Sequence, residues 1–275
     1  MYTKKISRSN LKEYFKYSFS KLELNNNNIN NKYMKYIIKQ LEESNVRAIN
    51  LSNNKIDTKG FIKLMLFLNK NNKIEELNIS SNNMDASFMD KINFDIHIKK
   101  INLSYNNISD KGIIYMKDLF INLSEINISK TNLTKDGIAT LSDFLISTNS
   151  NLEILDLSDN DISNEGASII ANIIRNNNKL KNINLFSDNI GVSGSIDIAS
   201  ALKENKTLKI LNMECNPVQT EGIHSFTVAL YSNNSLIELN LPERYIGNRE
   251  YNMLKEVLEI NKTIQMLDQP IQMYK

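Results

Sequence analysis

The feature that most constrains this chain is a short phrase of apolar residues, LxxLxLxxN, which returns at regular intervals. It is clearest at Leu152, Leu155, Leu157 and Asn160. Five of the nine steps between units are 28 residues long, and the others are 24, 25, 27 and 29. A repeat of this length predicts a solenoid, in which each unit covers the apolar face of its neighbour. The units begin at Phe19, Val46, Ile74, Ile98, Leu123, Leu152, Leu180, Leu208, Leu236 and Ile264.

Within one unit, from Leu152 to Lys179, the spacing predicts a short strand followed by a helix. Leu155 and Leu157 face the core, so Asp156 between them points to the opposite side of the strand. Asn160 falls where the chain turns, and a short amide there can satisfy backbone groups of the loop. The apolar stripe of a helix follows at Ile169, Ile170, Ile173 and Ile174.

At two further places of the repeat, the same residue type recurs from unit to unit; we call each such set of equivalent residues a column. Glycine takes the fifteenth place at Gly60, Gly112, Gly137, Gly166, Gly194 and Gly222. Asparagine takes the twenty-sixth place at Asn71, Asn177, Asn205, Asn233 and Asn261. Six of the eight glycines at one backbone place indicate either tight packing or a special dihedral angle there.

The full pattern, LxxLxLxxNxLxxxGxxxLxxxLxxNxx, resembles the ribonuclease-inhibitor-like class of leucine-rich repeats from Phe19 to about Asp268. Ribonuclease inhibitor, the Ran GTPase-activating protein and the sensor regions of NOD-like receptors carry such repeats. The resemblance implies an α/β solenoid shaped as a horseshoe, with a parallel sheet on the concave face, helices on the convex face, and binding on the concave face. Here unit lengths do not alternate and Cys215 is the only cysteine, so ribonuclease inhibition is not expected.

Several units depart from the pattern. The units from Ile74 and Ile98 are three or four residues short, so their outer segments are expected to be single turns or 3₁₀ helices. Thr131, Asp188 and Arg244 replace asparagine at the ninth place. In those three units the backbone groups of the turn must therefore find other hydrogen-bond partners.

We expect three segments: a capping helix over 1–18, repeats over 19–267 with about nine full units and a terminal strand, and a tail over 268–275. A solenoid exposes an apolar face at each end, which Leu11 and Phe15 of a capping helix would cover. The alternative for this segment is an arm for anionic membranes or nucleic acid, because it is basic. Its basic residues are Lys4, Lys5, Arg8, Lys12 and Lys16.

The composition argues against several kinds of partner. With 33 basic and 31 acidic residues the net charge is +2, which gives no strong field for nucleic acid. A single cysteine fits a reducing compartment, and the most apolar run, Phe61 to Leu68, is too short to span a bilayer. We therefore expect no nucleic-acid or membrane partner. We also expect a monomer that is either cytoplasmic or delivered into a host cytosol as an effector.

The sequence shows no motif for catalysis, a cofactor or a metal. His97 and His224 belong to no metal-ligand spacing, and glycines spread one per unit form no phosphate loop. We expect a non-catalytic scaffold that binds a partner protein. The alternative is a GTPase-activating protein resembling the Ran activator, with Arg47 and Arg244 near the relevant loops. Against it, the chain ends at Lys275 without the acidic tail that such activators carry.

The fifth place of each unit points onto the predicted concave surface. It holds asparagine in seven of ten units, where the chain average of 44 in 275 would give between one and two. Stacked amides could bond to one another along the sheet, or they could bind the backbone or side chains of a partner. The ten residues are Glu23, Asn50, Asn78, Asn102, Asn127, Asp156, Asn184, Asn212, Asn240 and Asp268.

The predicted partner-binding surface centres on an apolar patch formed by Ile154, Phe186 and Ile210. An apolar anchor within a polar rim is typical of protein interfaces, although isolated apolar residues are also ordinary on surfaces. Tyr105 and Arg47 are further candidates nearer the N-terminus. The polar candidates around the patch are Asp156, Asn182, Asn184, Asn212 and Glu214.

Overall fold

The computed structural model describes residues 11–16, 20–87, 90, 97–146, 150–261 and 263–264. The chain forms two compact units, Met1–Thr131 and Asn132–Lys275. In both units, short parallel strands alternate with helices. In this part of the chain, no helix combines the length and the apolar character needed to cross a bilayer.

The described residues of the first unit contain five strands that pair in parallel, in chain order. The strands are β1 (Lys21–Glu23), β2 (Ala48–Asn50), β3 (Glu76–Asn78), β4 (Lys100–Asn102) and β5 (Glu125–Asn127). The helices are α1 (Leu11–Lys16), α2 (Asn31–Glu42), α3 (Thr58–Leu68) and α4 (Ser109–Tyr115), and a 3₁₀ helix follows over Lys117–Asn122.

The second unit is built in the same way, with four parallel strands among its described residues. The strands are β6 (Ile154–Asp156), β7 (Asn182–Asn184), β8 (Ile210–Asn212) and β9 (Glu238–Asn240). The helices are α5 (Lys135–Ile146), α6 (Ser163–Asn176), α7 (Val192–Glu204), α8 (Gln219–Leu230) and α9 (Asn248–Ile260). A 3₁₀ helix lies at Glu243–Tyr245.

The core of each unit lies between the sheet and the helices. The middle residue of every strand is buried, as the apolar spacing predicts. The residues on either side of it are exposed or half-buried, except for Asn240. The buried middle residues are Leu22, Ile49, Leu77, Ile101, Ile126, Leu155, Ile183, Leu211 and Leu239. The predicted α/β solenoid is thus confirmed within each unit.

The glycine column is explained by close packing between helices. Among the described residues, no glycine has a positive φ. A Cβ atom at Gly194 would stand 2.7 Å from the Cβ of Ala167 and 3.0 Å from Cγ2 of Ile190. A Cβ at Gly222 would stand 3.1 Å from the Cβ of Ser195. For Gly60, Gly166, Gly194 and Gly222, tight packing is therefore the correct one of the two explanations that the sequence left open.

A ninth-place asparagine such as Asn54 or Asn216 satisfies backbone groups of the turn that follows its strand, as predicted. The Nδ2 of Asn54 donates to the carbonyl oxygens of Leu24, at 3.0 Å, and Leu51, at 2.9 Å. Its Oδ1 accepts from the backbone nitrogen of Ile29, at 2.9 Å. Asn216 makes the equivalent bonds in the second unit. Each amide therefore joins two consecutive repeats and satisfies backbone groups that burial removes from water.

A second column of buried amides, at the twenty-sixth place, joins the repeats where the helices end. The Nδ2 of Asn205 donates to the carbonyl oxygen of Ile174, at 2.6 Å. Its Oδ1 accepts from the backbone nitrogen of Leu208, at 2.8 Å. Asn233 and Asn261 bond to the preceding repeat in the same manner. Much of the abundant asparagine is therefore structural.

Asp188, which replaces a ninth-place asparagine, is fully buried. Its Oδ1 accepts from the backbone nitrogen of Asn160, at 2.8 Å, as an amide oxygen would. Its Oδ2 takes the place of the donating nitrogen and has no hydrogen-bond partner among the described residues. Burial, with smaller contributions from Asp156, Asp159 and Asp161, raises the pKa of Asp188 to about 8, against the opposing effect of the bond from Asn160. At pH 7 the folded protein therefore holds this carboxyl group neutral.

The shortened units and the two ends of the chain are covered only in part by the described residues. The unit from Ile98 carries the seven-residue α4 and then a 3₁₀ helix, while most of the outer segment of the unit from Ile74 lies outside the described residues. The α1 helix contacts β1 and α2 and buries Leu11. The rest of the predicted cap, the terminal strand beyond Ile264 and the tail over 268–275 also lie outside the described residues.

Candidate functional site

In each unit the sheet has one side that the helices leave uncovered, which we call the open face. It carries the first and third residues of each strand, which are the third and fifth places of the repeat. Strands about 4.8 Å apart bring residues of equal place side by side. The register confirms this for Asn78, which pairs with Asn50 on one side and Asn102 on the other.

On the open face of the first unit, the fifth-place side-chain oxygen is held by the chain itself. The Oδ1 of Asn78 accepts from the backbone nitrogen of Ser80, at 3.1 Å, and from its hydroxyl, at 2.8 Å. Asn102 and Ser104 repeat the arrangement at 3.0 and 2.7 Å. Such local bonding is the ordinary preference of asparagine at a turn.

In the second unit the fifth-place oxygen still accepts a hydrogen bond from the backbone nitrogen two residues further on, but that residue is no longer always serine. The Oδ1 of Asn184 accepts from the backbone nitrogen of Phe186, at 3.1 Å. The Oδ1 of Asn212 accepts from that of Glu214, at 2.9 Å. The fifth-place side chain is therefore oriented in the same way in both units, whatever follows it.

The amide nitrogens of four fifth-place residues make no hydrogen bond to any described residue. These residues are Asn78, Asn102, Asn184 and Asn212. Because the oxygen of each amide is fixed, its nitrogen is directed away from the turn. The suggested amide-to-amide ladder along the sheet is wrong for these four residues, since the turn takes up the oxygen that the ladder would need.

Most of the charged side chains on the open face of the first unit form ion pairs with one another. Lys21 lies 2.8 Å from Glu23, and this neighbour raises the pKa of Lys21 by hydrogen bonding and by charge. Lys100 lies 3.1 Å from Glu125, which raises its pKa in the same way. The exposed side chain of Glu76 makes neither an ion pair nor a hydrogen bond with the described residues, although its charge contributes to the raised pKa of both Lys21 and Lys100. Glu76 is a functional candidate that the sequence patterns did not single out.

The predicted patch lies on the open face of the second unit, but a polar row divides it. One row holds Ile154, Asn182 and Ile210, and the next holds Asp156, Asn184 and Asn212. Phe186 and Glu214 follow β7 and β8 by two residues, so Phe186 lies about 13 Å along the strand direction from the isoleucine row. Ile154, Phe186 and Ile210 are each half-buried.

The remaining candidates lie at the ends of strands. Tyr105 follows β4 by three residues, has a φ of 56° and is 52% exposed, and the Lys130 ammonium lies 5.1 Å from its ring centroid. Arg47 directly precedes β2 and its Nη1 lies 3.3 Å from Glu75. The Arg244 guanidinium stacks 4.8 Å from the ring centroid of its neighbour Tyr245. Neither arginine therefore joins the rows of the open face.

Within the described ranges, no group of three or more His, Cys, Asp or Glu side chains could hold a metal ion. The exposed thiol of Cys215 lies in the turn after β8, at a φ of 58°. The open face therefore offers hydrogen-bond donors, the carboxylate of Glu76 and apolar contacts, which are the groups of a binding surface.

Comparison with known proteins agrees with the repeat geometry. A sequence model described as a leucine-rich repeat matches residues 44–65, 70–87, 95–116, 148–171 and 204–226. No curated protein matches the chain in sequence. A chain of the yeast Rad7–Elc1 complex shares the fold with a TM-score of 0.60 and 15% identity, over 93% of this chain and 72% of that one.

A second solved structure, the leucine-rich repeat-containing protein LegL7 from Legionella pneumophila, gives a TM-score of 0.54 and 16% identity. The match covers 86% of this chain and 80% of that one. At these identities the likeness concerns the fold alone. The repeats that the sequence model matches identify the chain as a leucine-rich repeat protein.

Proposed function

We propose that this chain is a non-catalytic scaffold that binds a partner protein across the open face of its repeats. The main support is the set of oriented amide nitrogens at Asn78, Asn102, Asn184 and Asn212. Because the turn already fixes each amide, little rotamer entropy is lost when a partner's carbonyl oxygen accepts a bond from it. Rows of such donors suit the main chain of a protein, which presents acceptors at regular intervals.

The apolar side chains of the second unit support the same proposal. Ile154 and Ile210 flank Asn182 on the open face, and Phe186 lies beyond the polar row. Apolar anchors next to oriented polar groups are the usual composition of a protein interface. The Rad7–Elc1 structure, which has the same fold, is itself a complex of two proteins.

The donor part of the proposal is tested by changing Asn184 and Asn212 together to aspartate. Each carboxylate keeps the oxygen that accepts from the turn and loses the donating nitrogen. We expect at least about tenfold weaker capture of partner proteins from a cell extract, with an unchanged melting temperature. The control changes Asn178 and Asn234, two exposed loop residues, to aspartate. Equal capture by both double variants would refute the role of the donors.

The apolar part is tested by comparing two isoleucines. We expect Ile210→Asp, on the open face, to abolish capture of the same proteins. Ile196→Asp is the matched control, because Ile196 is 42% exposed on α7, on the helical side of the sheet. Capture that survives Ile210→Asp, or that is lost equally with Ile196→Asp, would contradict binding through the open face.

A further inference from the structure

We propose that the open face of the first unit binds an extended peptide segment whose arginine side chain enters a depression beside Ala48 and pairs with Glu76. This inference rests on the proposed function and names the chemistry of a partner for one part of the surface. It concerns a region separate in sequence from the patch around Ile154 and Ile210.

The depression lies over β1 to β5 and has a volume of about 290 Å³. Ala48 creates the space, because its third-place neighbours Lys21 and Glu76 carry long side chains while it offers a single methyl group. The floor consists of the strands at Ile49 and Leu77. A long, thin side chain can therefore enter from the open face beside Glu76.

Glu76 is the carboxylate of this depression that no cation contacts directly, although Lys21 and Lys100 lie near enough to feel its charge. Glu23 is taken by Lys21 at 2.8 Å and by the Nδ2 of Asn50 at 2.6 Å. Glu125 is taken by Lys100 at 3.1 Å. The third and fifth places of β1 to β5 hold five charged side chains, which are two lysines and three glutamates. Lys21 and Lys100 balance two of the glutamates, so one negative charge is in excess. That excess charge lies at Glu76.

The groups around Glu76 favour an arginine within an extended peptide over a free cation. Asn78 on the same strand and Asn102 on the next direct their amide nitrogens onto the open face. These donors can bond to main-chain carbonyl oxygens on either side of the entering residue. A guanidinium forms two parallel hydrogen bonds to a carboxylate, and an ammonium does not match this geometry.

The inference is tested with a displayed library of random peptides selected on the whole protein. We expect the enriched peptides to share one arginine at a fixed position. Selection on the Glu76→Lys variant is expected to replace that arginine by aspartate or glutamate, because the charge in the depression is reversed.

Affinities are then measured with one enriched peptide made synthetically. Glu76→Gln keeps the size of the side chain, removes its charge, and is expected to weaken binding about tenfold or more. Ala48→Leu fills the depression without changing the charge, and an effect of similar size is expected. The control is Glu238→Gln at the equivalent place of β9, for which less than a twofold change is expected. Thermal unfolding of each variant verifies that the fold is retained.

Three results would overturn the inference: no enriched peptide, enriched peptides without a shared arginine, or binding that Glu76→Lys leaves unchanged. If binding of the enriched peptides is instead lost with Ile210→Asp, the peptides use the second unit. In that case the inference fails while the proposed function stands. Failure of the proposed function itself is recognised separately, from the capture of partner proteins by the asparagine variants.

Discussion

The open faces of the two units carry different side chains on the same framework. Two residues after the strand, the first unit has serine at β2 to β5, and each serine supports the fifth-place asparagine with its backbone and hydroxyl. The second unit has Phe186, Glu214 and Pro242 after its last three strands. The inward residues are alike in both units. The fold therefore constrains the buried side, and the open face is where the repeats can specialise.

Asn240 shows how far this variation goes. It occupies the fifth place on β9 and is 8% exposed, yet its Oδ1 has no hydrogen-bond partner among the described residues. The residue that would donate to it is Pro242, which has no backbone N–H. Its Nδ2 bonds instead to Glu238, at 3.0 Å. The change to proline thus loses the local bond that orients the other asparagines.

The largest effect is expected at Asp188, where the second unit departs from the internal asparagine column. Asp188→Asn supplies the missing donor and should stabilise the protein by roughly 4 kcal/mol at pH 7, from a pKa of about 8 in the fold and about 3.9 in the unfolded chain. Between these values the folded protein holds one more proton, so raising the pH favours unfolding. The stability contributed by this group is full below about pH 4 and lost above about pH 8.

Urea unfolding at several pH values measures this difference. The wild type should lose about 1.4 kcal/mol per pH unit across that window relative to Asp188→Asn. Asn216→Asp is the matched reverse change, because Asn216 holds the same place in the next repeat. It should introduce a slope of the same sign. Identical pH profiles of wild type and Asp188→Asn would mean that the carboxyl group is ionised in the fold.

The next largest effect tests whether the two units share one framework. Asn54→Ala and Asn216→Ala each remove an amide that bonds to five backbone groups of two repeats. We expect each change to lower the unfolding free energy by about 3 kcal/mol, since several buried groups lose their partners. Asn178→Ala, in an exposed loop, should change it by less than about 0.5 kcal/mol. If the two changes lower the unfolding free energy by very different amounts, the two units do not share one framework.

A smaller effect is expected from the glycine column. Gly194→Ala places a methyl group 2.7 Å from the Cβ of Ala167, which is fixed to the neighbouring helix. We expect a loss of about 1–2 kcal/mol, because the clash exceeds the gain in helix propensity. Gly247→Ala meets only the tip of Glu250, at 2.9 Å, and should change stability by less than about 1 kcal/mol. A higher melting temperature for Gly194→Ala would show that the helices can move apart.

The smallest effect separates fold from function at the residue two positions after the strand, which is the seventh place of the repeat. Ser104→Ala removes the 2.7 Å hydroxyl bond to Asn102 but keeps the backbone bond, so a loss of about 0.5–1 kcal/mol is expected. Phe186→Ser gives the second unit the residue of the first and should change stability by no more than about 1 kcal/mol. It should nevertheless reduce partner capture. A loss of about 3 kcal/mol or more would make Phe186 part of the core.

The sequence predicts the fold well because the inward places have strict physical requirements. Leu155 must be buried and Asn160 must satisfy a turn, and both requirements follow from spacing alone. The open face is harder to predict. The fifth-place amides bond within the turn because of its geometry, and Glu76 remains unpaired because Lys100 pairs with Glu125. A pattern of residues does not show which of several neighbouring groups a side chain will bond to.

The most direct test of the division between structural and surface asparagines is hydrogen exchange of their side-chain amides, followed by NMR. The amide nitrogens of Asn54 and Asn216, which bond to buried backbone groups, should exchange slowly. Those of Asn78, Asn102, Asn184 and Asn212 should exchange at the rate of a solvent-exposed amide in the free protein and slow down when a partner binds. Slow exchange of these four in the free protein would mean that the chain already uses their donors, and the open face would then have no such donors to offer.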